Sequence, residues 1–552
     1  MQFKTIKYIS VFLLIMMFGT IALQAKSVRF RAMWRSNPST SMVIGWDQVS
    51  GNNPVLYFGT EDRGKNYQAY PSQQRPDNIM QGKGMNNHFV RLENLTPNTT
   101  YFFVVVDNEG VSRRMSFKTT PDNPLQRLSV IAGGDSRNNR EARINANKLV
   151  SKLRPDFILF SGDFTTDDNA TQWKKWFDDW QLTIGSDGRL FPVVVARGNH
   201  EASNSTMVAL FDIKSESVYY GLSFGGDLLR VYTLNTMVPP GGKQKIWLES
   251  DLKSNRSKIW KIAQYHQAIK PHTDSKPELT ELMINWATLF HKYRVNIALE
   301  SDAHVVKWTW PVRPSRESGS EEGFIRDDER GTVYLGEGGW GAPLRVNNDD
   351  KSWTRNSGSF NQFKWIFIDQ YHIEVRTIHI NEADKVTEVR DYNRFAVPRG
   401  LKVWSPSNGD VLTIVNRNAP PPPPETEAIS NTDQDQQPYQ PDVDADQVEI
   451  IYDPEPPVEE SADDKKGPPV KWLKIDPVKK TVRVRYSLKA ISKVDIIIIN
   501  NKLQEVTRAT LNEQQPGPYV KTLDFNKIKP GGYLIVIKAN GKVRQRYRVK
   551  KG

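Results

Sequence analysis

The chain has 552 residues, of which 38% are hydrophobic, a formal net charge of +12 and no cysteine. That length exceeds what one core organises and implies about three or four domains. The absence of thiols excludes disulfide frameworks, thiolate metal sites and cysteine nucleophiles, so any metal must be held by nitrogen and oxygen ligands.

Residues 1–25 read as a secretory signal peptide: Lys4 and Lys7 form a basic start, 11–22 is an apolar run, and Leu23-Gln24-Ala25 places a small residue at the cleavage position. The run is shorter than the ~20 residues of a spanning helix, which disfavours an N-terminal anchor. No later stretch is apolar enough to cross a bilayer. The product is therefore expected to leave the cytoplasm, with no stable transmembrane segment after cleavage.

Residues 26–122 predict a small β-sandwich, with strand-like runs at 41–46, 55–60, 88–92, 101–106 and 115–119 separated by turn residues. Residues 123–417 predict an α/β domain, a β-sandwich flanked by helices. Four apolar runs in it (128–132, 157–160, 191–195 and 295–299) read as buried strands, and a weaker run containing a lysine spans 259–263. Residues 139–153 read as a helix. Trp173, Trp176, Phe177 and Trp180 form an aromatic stripe of the kind that usually belongs to a core. Residues 418–469, with a polyproline start and an acidic stretch at 425–464, predict an extended linker. Residues 470–552 return to strand alternation and predict a C-terminal β-sandwich. The acidic linker leaves the rest of the chain more basic than the total suggests. A basic catalytic face would attract phosphorylated substrates, and a plain solubility role is the alternative.

Five motifs follow or end the strand-like runs of the central part: Gly133-Gly134-Asp135-Ser136-Arg137-Asn138, Ser161-Gly162-Asp163-Phe164, Arg197-Gly198-Asn199-His200-Glu201, Tyr265-His266 and Ser301-Asp302-Ala303-His304. Strand ends that gather Asp, Asn and His at one edge of a sheet build a metal site. Phosphoesters resist anionic nucleophiles. Two cations relieve that repulsion and generate hydroxide near neutral pH, and such a site needs carboxylate and amide oxygens plus imidazoles. The ordered series supplies that inventory.

On these motifs the central part resembles the calcineurin-like metallophosphoesterases, and more closely a bacterial relative of the purple acid phosphatases. The corner Leu95-Thr96-Pro97-Asn98-Thr99-Thr100-Tyr101 resembles fibronectin type III modules and the N-terminal domain of purple acid phosphatases. The C-terminal part, with Pro530-Gly531-Gly532-Tyr533, an apolar penultimate strand and a basic last strand, resembles the sorting domain of proteins exported by the type IX secretion system; an adhesion or carbohydrate-binding sandwich is the alternative. The resemblance implies two divalent metal ions (Mn, Fe or Zn), with Asp135 and His304 on the first, Asp163 bridging, and Asn199 and His266 on the second. It further implies that His200 contacts the substrate phosphate and protonates the leaving group. Three positions depart from the family pattern. Thr166 stands where the purple enzymes carry a metal-binding tyrosine. Arg137 stands where other members carry a histidine. Asp302 replaces the first histidine of Gly-His-x-His, still able to ligate through oxygen. Arg137 is expected either to clamp the substrate or to pair with Asp302 or a neighbouring carboxylate, and Arg137 with Arg197 could offset the charge added by Asp302.

The expected function is that of a secreted phosphatase, at the surface of or released from a Gram-negative bacterium via the periplasm. It would hydrolyse small phosphomonoesters by attack of a metal-bound hydroxide. Its other partner would be the type IX secretion machinery. The alternatives are a phosphodiesterase or nucleotidase, and a cell-surface binding protein with a degenerate phosphoesterase core. No nucleic-acid partner is expected, since no helix–turn–helix or aromatic stacking sheet stands out.

Overall fold

The computed structural model describes residues 26–417 and most of 470–551; the expected signal peptide and linker lie outside the described residues. The chain divides into two compact units, 1–423 and 424–552.

The first unit begins with two antiparallel sheets. One has the strand order Ser27–Met33, Met42–Gln48, Met85–Leu92, Asn78–Gly82. The other is built on Val55–Gly59 and Thr100–Asp107, with Ser72–Gln74, Gly110–Val111 and Met115–Lys118 beside them. Alternation decides what faces inward: Tyr101, Phe103 and Val105 of one sheet share a core with Phe30, Ile44 and Trp46 of the other. The Tyr101 hydroxyl accepts from the Thr96 amide at 2.9 Å, which closes the Leu95-Thr96-Pro97 corner.

The central part consists of two larger sheets. A six-stranded sheet runs Val193–Val195, Phe157–Phe160, Leu128–Gly133, Gln362–Ile368, His372–His379, Leu412–Val415. Its first three strands are mutually parallel. A seven-stranded sheet is centred on the parallel strands Leu229–Thr233, Trp260–Gln267, Ile297–Ser301 and Val333–Gly336. Val130, Leu159 and Val194 from the first sheet and Val231, Ile262 and Leu299 from the second meet in one apolar layer. Helices Arg140–Leu153 and Ala170–Trp180 cover the outer face of the first sheet, and Gly242–Ser254 that of the second.

This arrangement corrects one expectation. The motifs do not gather at one edge of a single sheet; they come from the carboxyl ends of strands in two sheets that face each other. The apolar layer between the sheets holds the two sets of strand ends together.

The aromatic stripe is core. Trp173, Trp176, Phe177 and Trp180 are all buried. Trp176 and Trp180 stack at 4.8 Å, and the stripe packs on Phe160 and Phe164. Burying each such ring is worth about 2–3 kcal/mol. The stripe also braces the motif loops, since the Trp176 indole donates to Ser136 Oγ at 2.9 Å.

The N-terminal sheets join the same body. Trp34 packs edge-on to Phe157 and Phe224, and buried Arg31 donates to the Leu210 carbonyl at 2.7 Å.

The second unit contains a five-stranded sheet, ordered Val470–Leu473, Lys542–Lys551, Gly531–Ala539, Ser492–Asn500, Glu505–Gln514, and the pair Thr481–Leu488 with Gly517–Asp524. Val482, Val484 and Tyr486 pack with Ile496, Ile498, Ile535 and Ile537. Among the described residues no helix is long and apolar enough to cross a membrane.

Candidate metal centre

At the ends of the central strands the backbone turns sharply. Asp135, Asp163, Asp302 and His304 all have φ between 55° and 68°. A left-handed conformation costs a residue with a side chain about 1 kcal/mol or more, so four together in one place mark a site whose geometry the surrounding fold imposes. Two glycines make room for it. A Cβ on Gly198 would lie 2.2 Å from Asp163 Oδ1, and one on Gly338 would lie 2.2 Å from Asp135 Oδ2. That close approach explains one glycine of the Gly-rich segment at 336–341.

Six of the expected residues converge. Asp135, Asp163 and His304 offer ligand atoms within 4.8 Å of one another, and so do Asp163, His266 and Asp302. Asp163 belongs to both groups. Asn199 joins the second through its Oδ1, 2.9 Å from His266 Nε2. Both imidazoles are turned the same way: Nδ1 of His266 lies 2.8 Å from the Ser161 carbonyl, and Nδ1 of His304 lies 2.7 Å from that of Pro343. Each Nδ1–H is thereby committed to backbone, which leaves Nε2 as the nitrogen that faces the site.

His200 stands beside these groups. Its Nδ1 is 2.6 Å from the Thr166 carbonyl, and its Nε2 is 3.8 Å from Asp163 Oδ2, on a partly exposed ring. Thr166, at the tyrosine position, thus supplies a backbone oxygen. Arg137 places Nη1 at 3.4 Å from Asp163 Oδ2, and its buried Nε has no hydrogen-bond partner. It therefore leans on the shared carboxylate and not on Asp302.

Asp302 is paired instead with Lys276, whose Nζ lies 2.6 Å from Oδ1. Arg345 donates to the Asp302 carbonyl at 2.7 Å. Arg197, expected as a charge offset, is spent elsewhere, on the Glu201 carbonyl and Asn204 Oδ1. The compensating cation is Lys276, 26 residues away in sequence on the loop after His266, and no local pattern in the sequence marks it. Glu201 was legible only as the last letter of its motif. It is fully buried and accepts from the amides of Asp163, Phe164 and Gly198, which fixes two motif turns to each other.

The electrostatics call for positive charge. Burial pushes the Asp163 carboxyl up. Burial acts on Asp135 and Asp302 in the same sense, but His266 with His304, and His266 with Lys276, hold them below the usual carboxylate range. Burial would lower His266, yet Asp163, Asp135 and Asp302 drive it well above an ordinary imidazole. A cation among these oxygens would do what the imidazolium otherwise does. The donor set of carboxylate, amide and imidazole, with no sulfur, fits two divalent ions of the Mn, Fe or Zn type.

Lys276 draws electron density from one oxygen of Asp302. Replacing it by Met is expected to raise the affinity of the second site for Mn²⁺ by about 10-fold, roughly 1.4 kcal/mol, as read by metal titration. An unchanged affinity would show that the pair is incidental.

Comparison with known proteins agrees with this geometry. Residues 28–119 match the family described as purple acid phosphatase, N-terminal domain, and residues 133–305 match calcineurin-like phosphoesterase. The chain is 23% identical over 297 residues to "Probable purple acid phosphatase 20" of Arabidopsis thaliana, covering 50% of this chain and 65% of that protein. It is 23% identical over 371 residues to "Probable inactive purple acid phosphatase 1" of the same plant, covering 57% and 58%. The chain thus spans less than two thirds of the length of either. Among solved structures, the purple acid phosphatase PPD1 from yellow lupin (Lupinus luteus) seeds superposes with a TM-score of 0.54 at 16% identity, covering 71% of this chain and 74% of that one. The fold is the same at that distance. The two matched segments, 28–119 and 133–305, coincide with the N-terminal sheets and with the part of the central sheets that carries the five motifs.

Proposed function

We propose that the protein is a secreted metal-dependent phosphatase that hydrolyses small phosphomonoesters. The observation that carries this reading is the pair of ligand groups sharing Asp163. Asp135, Asp163 and His304 would hold one ion, and Asp163, Asn199, His266 and Asp302 the other. When bound, two such ions lower the pKa of water and shield the phosphate oxygens.

The chain's own residues do the rest. His200 is oriented by the Thr166 carbonyl at Nδ1, so Nε2 is the atom free to contact a phosphate oxygen and to hand a proton to the leaving oxygen. Asp163 Oδ2 lies 3.8 Å from that nitrogen. Arg137 presents a planar fork beside the shared carboxylate, matched to phosphate oxygens.

Secretion through an N-terminal signal peptide, a sorting role for the C-terminal unit with the type IX machinery, and fibronectin-like kinship of the N-terminal sheets belong to the same proposal. A binding protein with a degenerate core is the second reading, favoured by the Lys276 ammonium that already occupies an oxygen of Asp302.

Metal quantification beside a substrate panel across pH tests both. We expect about two equivalents of metal and turnover of an aryl phosphomonoester in excess of a diester. His200→Ala should lower kcat about 100-fold with metal content unchanged, and Arg137→Ala should act mainly on KM. Less than about one equivalent of metal, with neither ester hydrolysed, would favour the second reading.

A further inference from the structure

A second feature lies at the other end of the central sheet. Metal ligands occupy the carboxyl ends of the strands Trp260–Gln267 and Ile297–Ser301, whereas the amino ends of the same strands open into a groove of about 1170 Å³. Lys261 in the groove and His266 at the metal centre share one strand, five residues apart, or about 17 Å at 3.3 Å per residue.

Seven cations line the groove: Arg256, Lys258, Lys261, Arg294, Arg330, Arg355 and Arg417. Against them stand Asp328 and Glu329. Asp328 is already paired with Arg326 at 2.9 Å; of the seven cations Lys258 is paired with Asp227 at 2.8 Å, and among the described residues the other six make no ion pair. Lys261 is only 5% exposed, and its ammonium donates to the carbonyls of Arg256 and Lys258 at 3.3 and 3.1 Å without a counter-ion. Arg355 Nε is buried with no hydrogen-bond partner. Unpaired positive charge held out of water is costly, and an anion in the groove would relieve it.

The chemistry of the anion can be narrowed. Five of the seven cations are arginines, whose forks match tetrahedral oxyanions. Sugars and bases would need an open aromatic face for stacking, and the groove offers none. Arg326 stacks 3.9 Å from the Trp310 ring and Arg355 lies 5.4 Å from it, while Trp260 is buried with its indole donating to the Asp369 carbonyl. The groove therefore reads charge without rings.

We propose that this groove binds a linear inorganic polyphosphate chain, at a site separate from the metal centre. The two ends of the sheet would then take different phosphates, a reacting ester at one and a held polymer at the other.

Isothermal titration of the full-length, metal-loaded protein with medium-chain polyphosphate tests it, in excess orthophosphate so that the metal centre is saturated. We expect binding whose affinity falls steeply with salt. Arg256 and Arg330 are exposed, Arg256 resting 5.3 Å over the Tyr293 ring, so Arg256→Glu with Arg330→Glu should leave the fold intact. The double variant should weaken polyphosphate binding at least about 10-fold and leave hydrolysis of a small aryl phosphate unchanged. No binding at low salt would overturn the proposal. So would equal binding by the double variant, or a sulfated polysaccharide or single-stranded DNA of similar charge binding as tightly as polyphosphate. Because the readout is affinity in the presence of orthophosphate, a failure of catalysis would leave this result standing, and the reverse.

Discussion

Asp163→Asn is expected to lower kcat for a phosphomonoester by about three orders of magnitude and to empty both metal positions, because one carboxylate serves both ligand groups. The substitution is close to isosteric. Asn keeps the Oδ1 that accepts from the His200 amide at 3.0 Å, so the Asn199-His200 turn stays in place. In the metal-free protein the change costs little stability, because burial already pushes the Asp163 carboxyl upward and a neutral amide avoids that penalty. Circular dichroism and the metal-free melting temperature should therefore match the parent while metal content falls. Asn199→Ala provides the contrast, since it touches the second group alone and should leave the first position occupied. If Asp163→Asn retained about two equivalents of metal and kcat within about 10-fold of the parent, the shared-ligand geometry would be wrong.

Much of this site was legible in sequence because its parts are local. Runs such as 128–132 and 157–160 are apolar throughout, and a chain buried on both faces needs that pattern. The residue that follows each run is then at a strand end by construction. For the same reason the Trp173 to Trp180 stripe could be assigned to a core from its spacing. The layering was not legible. Nothing in the motif series says that His266 and Asp302 belong to a different sheet from Asp135 and Asp163, because that depends on pairings such as Leu128–Gly133 with Gln362–Ile368, which is far away in the chain. Lys276 and Arg197 show the same limit for side chains. Both are basic residues near a motif, and only the fold shows that Lys276 reaches Asp302 while Arg197 closes its own loop. The Asp302 substitution was visible in sequence as a lost histidine; the structure adds the ammonium that offsets the new charge.

The largest expected loss of stability sits directly behind the metal centre. Lys307, Glu300 and Glu337 are all fully buried. Lys307 Nζ is 2.6 Å from Glu300 Oε2, contacts Glu337, and donates to the Lys270 carbonyl. Tyr265 donates to Glu300 at 2.7 Å and the His272 amide to Glu337 at 3.1 Å. Burial would lower the Lys307 ammonium, but Glu300 and Glu337 together raise it. Two carboxyls against one ammonium leave an acid in excess. Burial, with Lys307 opposing only in part, pushes Glu337 up to about 7 from 4.5. A carboxyl raised in the folded state binds its proton more tightly there, so its contribution is full below pH 4.5 and is lost as pH rises through about 7. Over that window Glu337 alone should contribute a loss of roughly 3 kcal/mol in the metal-free protein, and Glu337→Gln should flatten the slope. Lys307→Met removes the only ammonium in the group and leaves two buried carboxyls facing each other. The expected cost is about 3–5 kcal/mol, seen as a melting temperature lower by on the order of 10 °C and a steeper loss toward neutral pH. An unchanged melting temperature would mean that water reaches this group. The effect should also carry forward, because the Glu337 carbonyl accepts from the His304 amide at 2.7 Å. Displacing Glu337 loosens the turn that aims His304 at Asp135, so Lys307→Met should lose metal from the first position before the second.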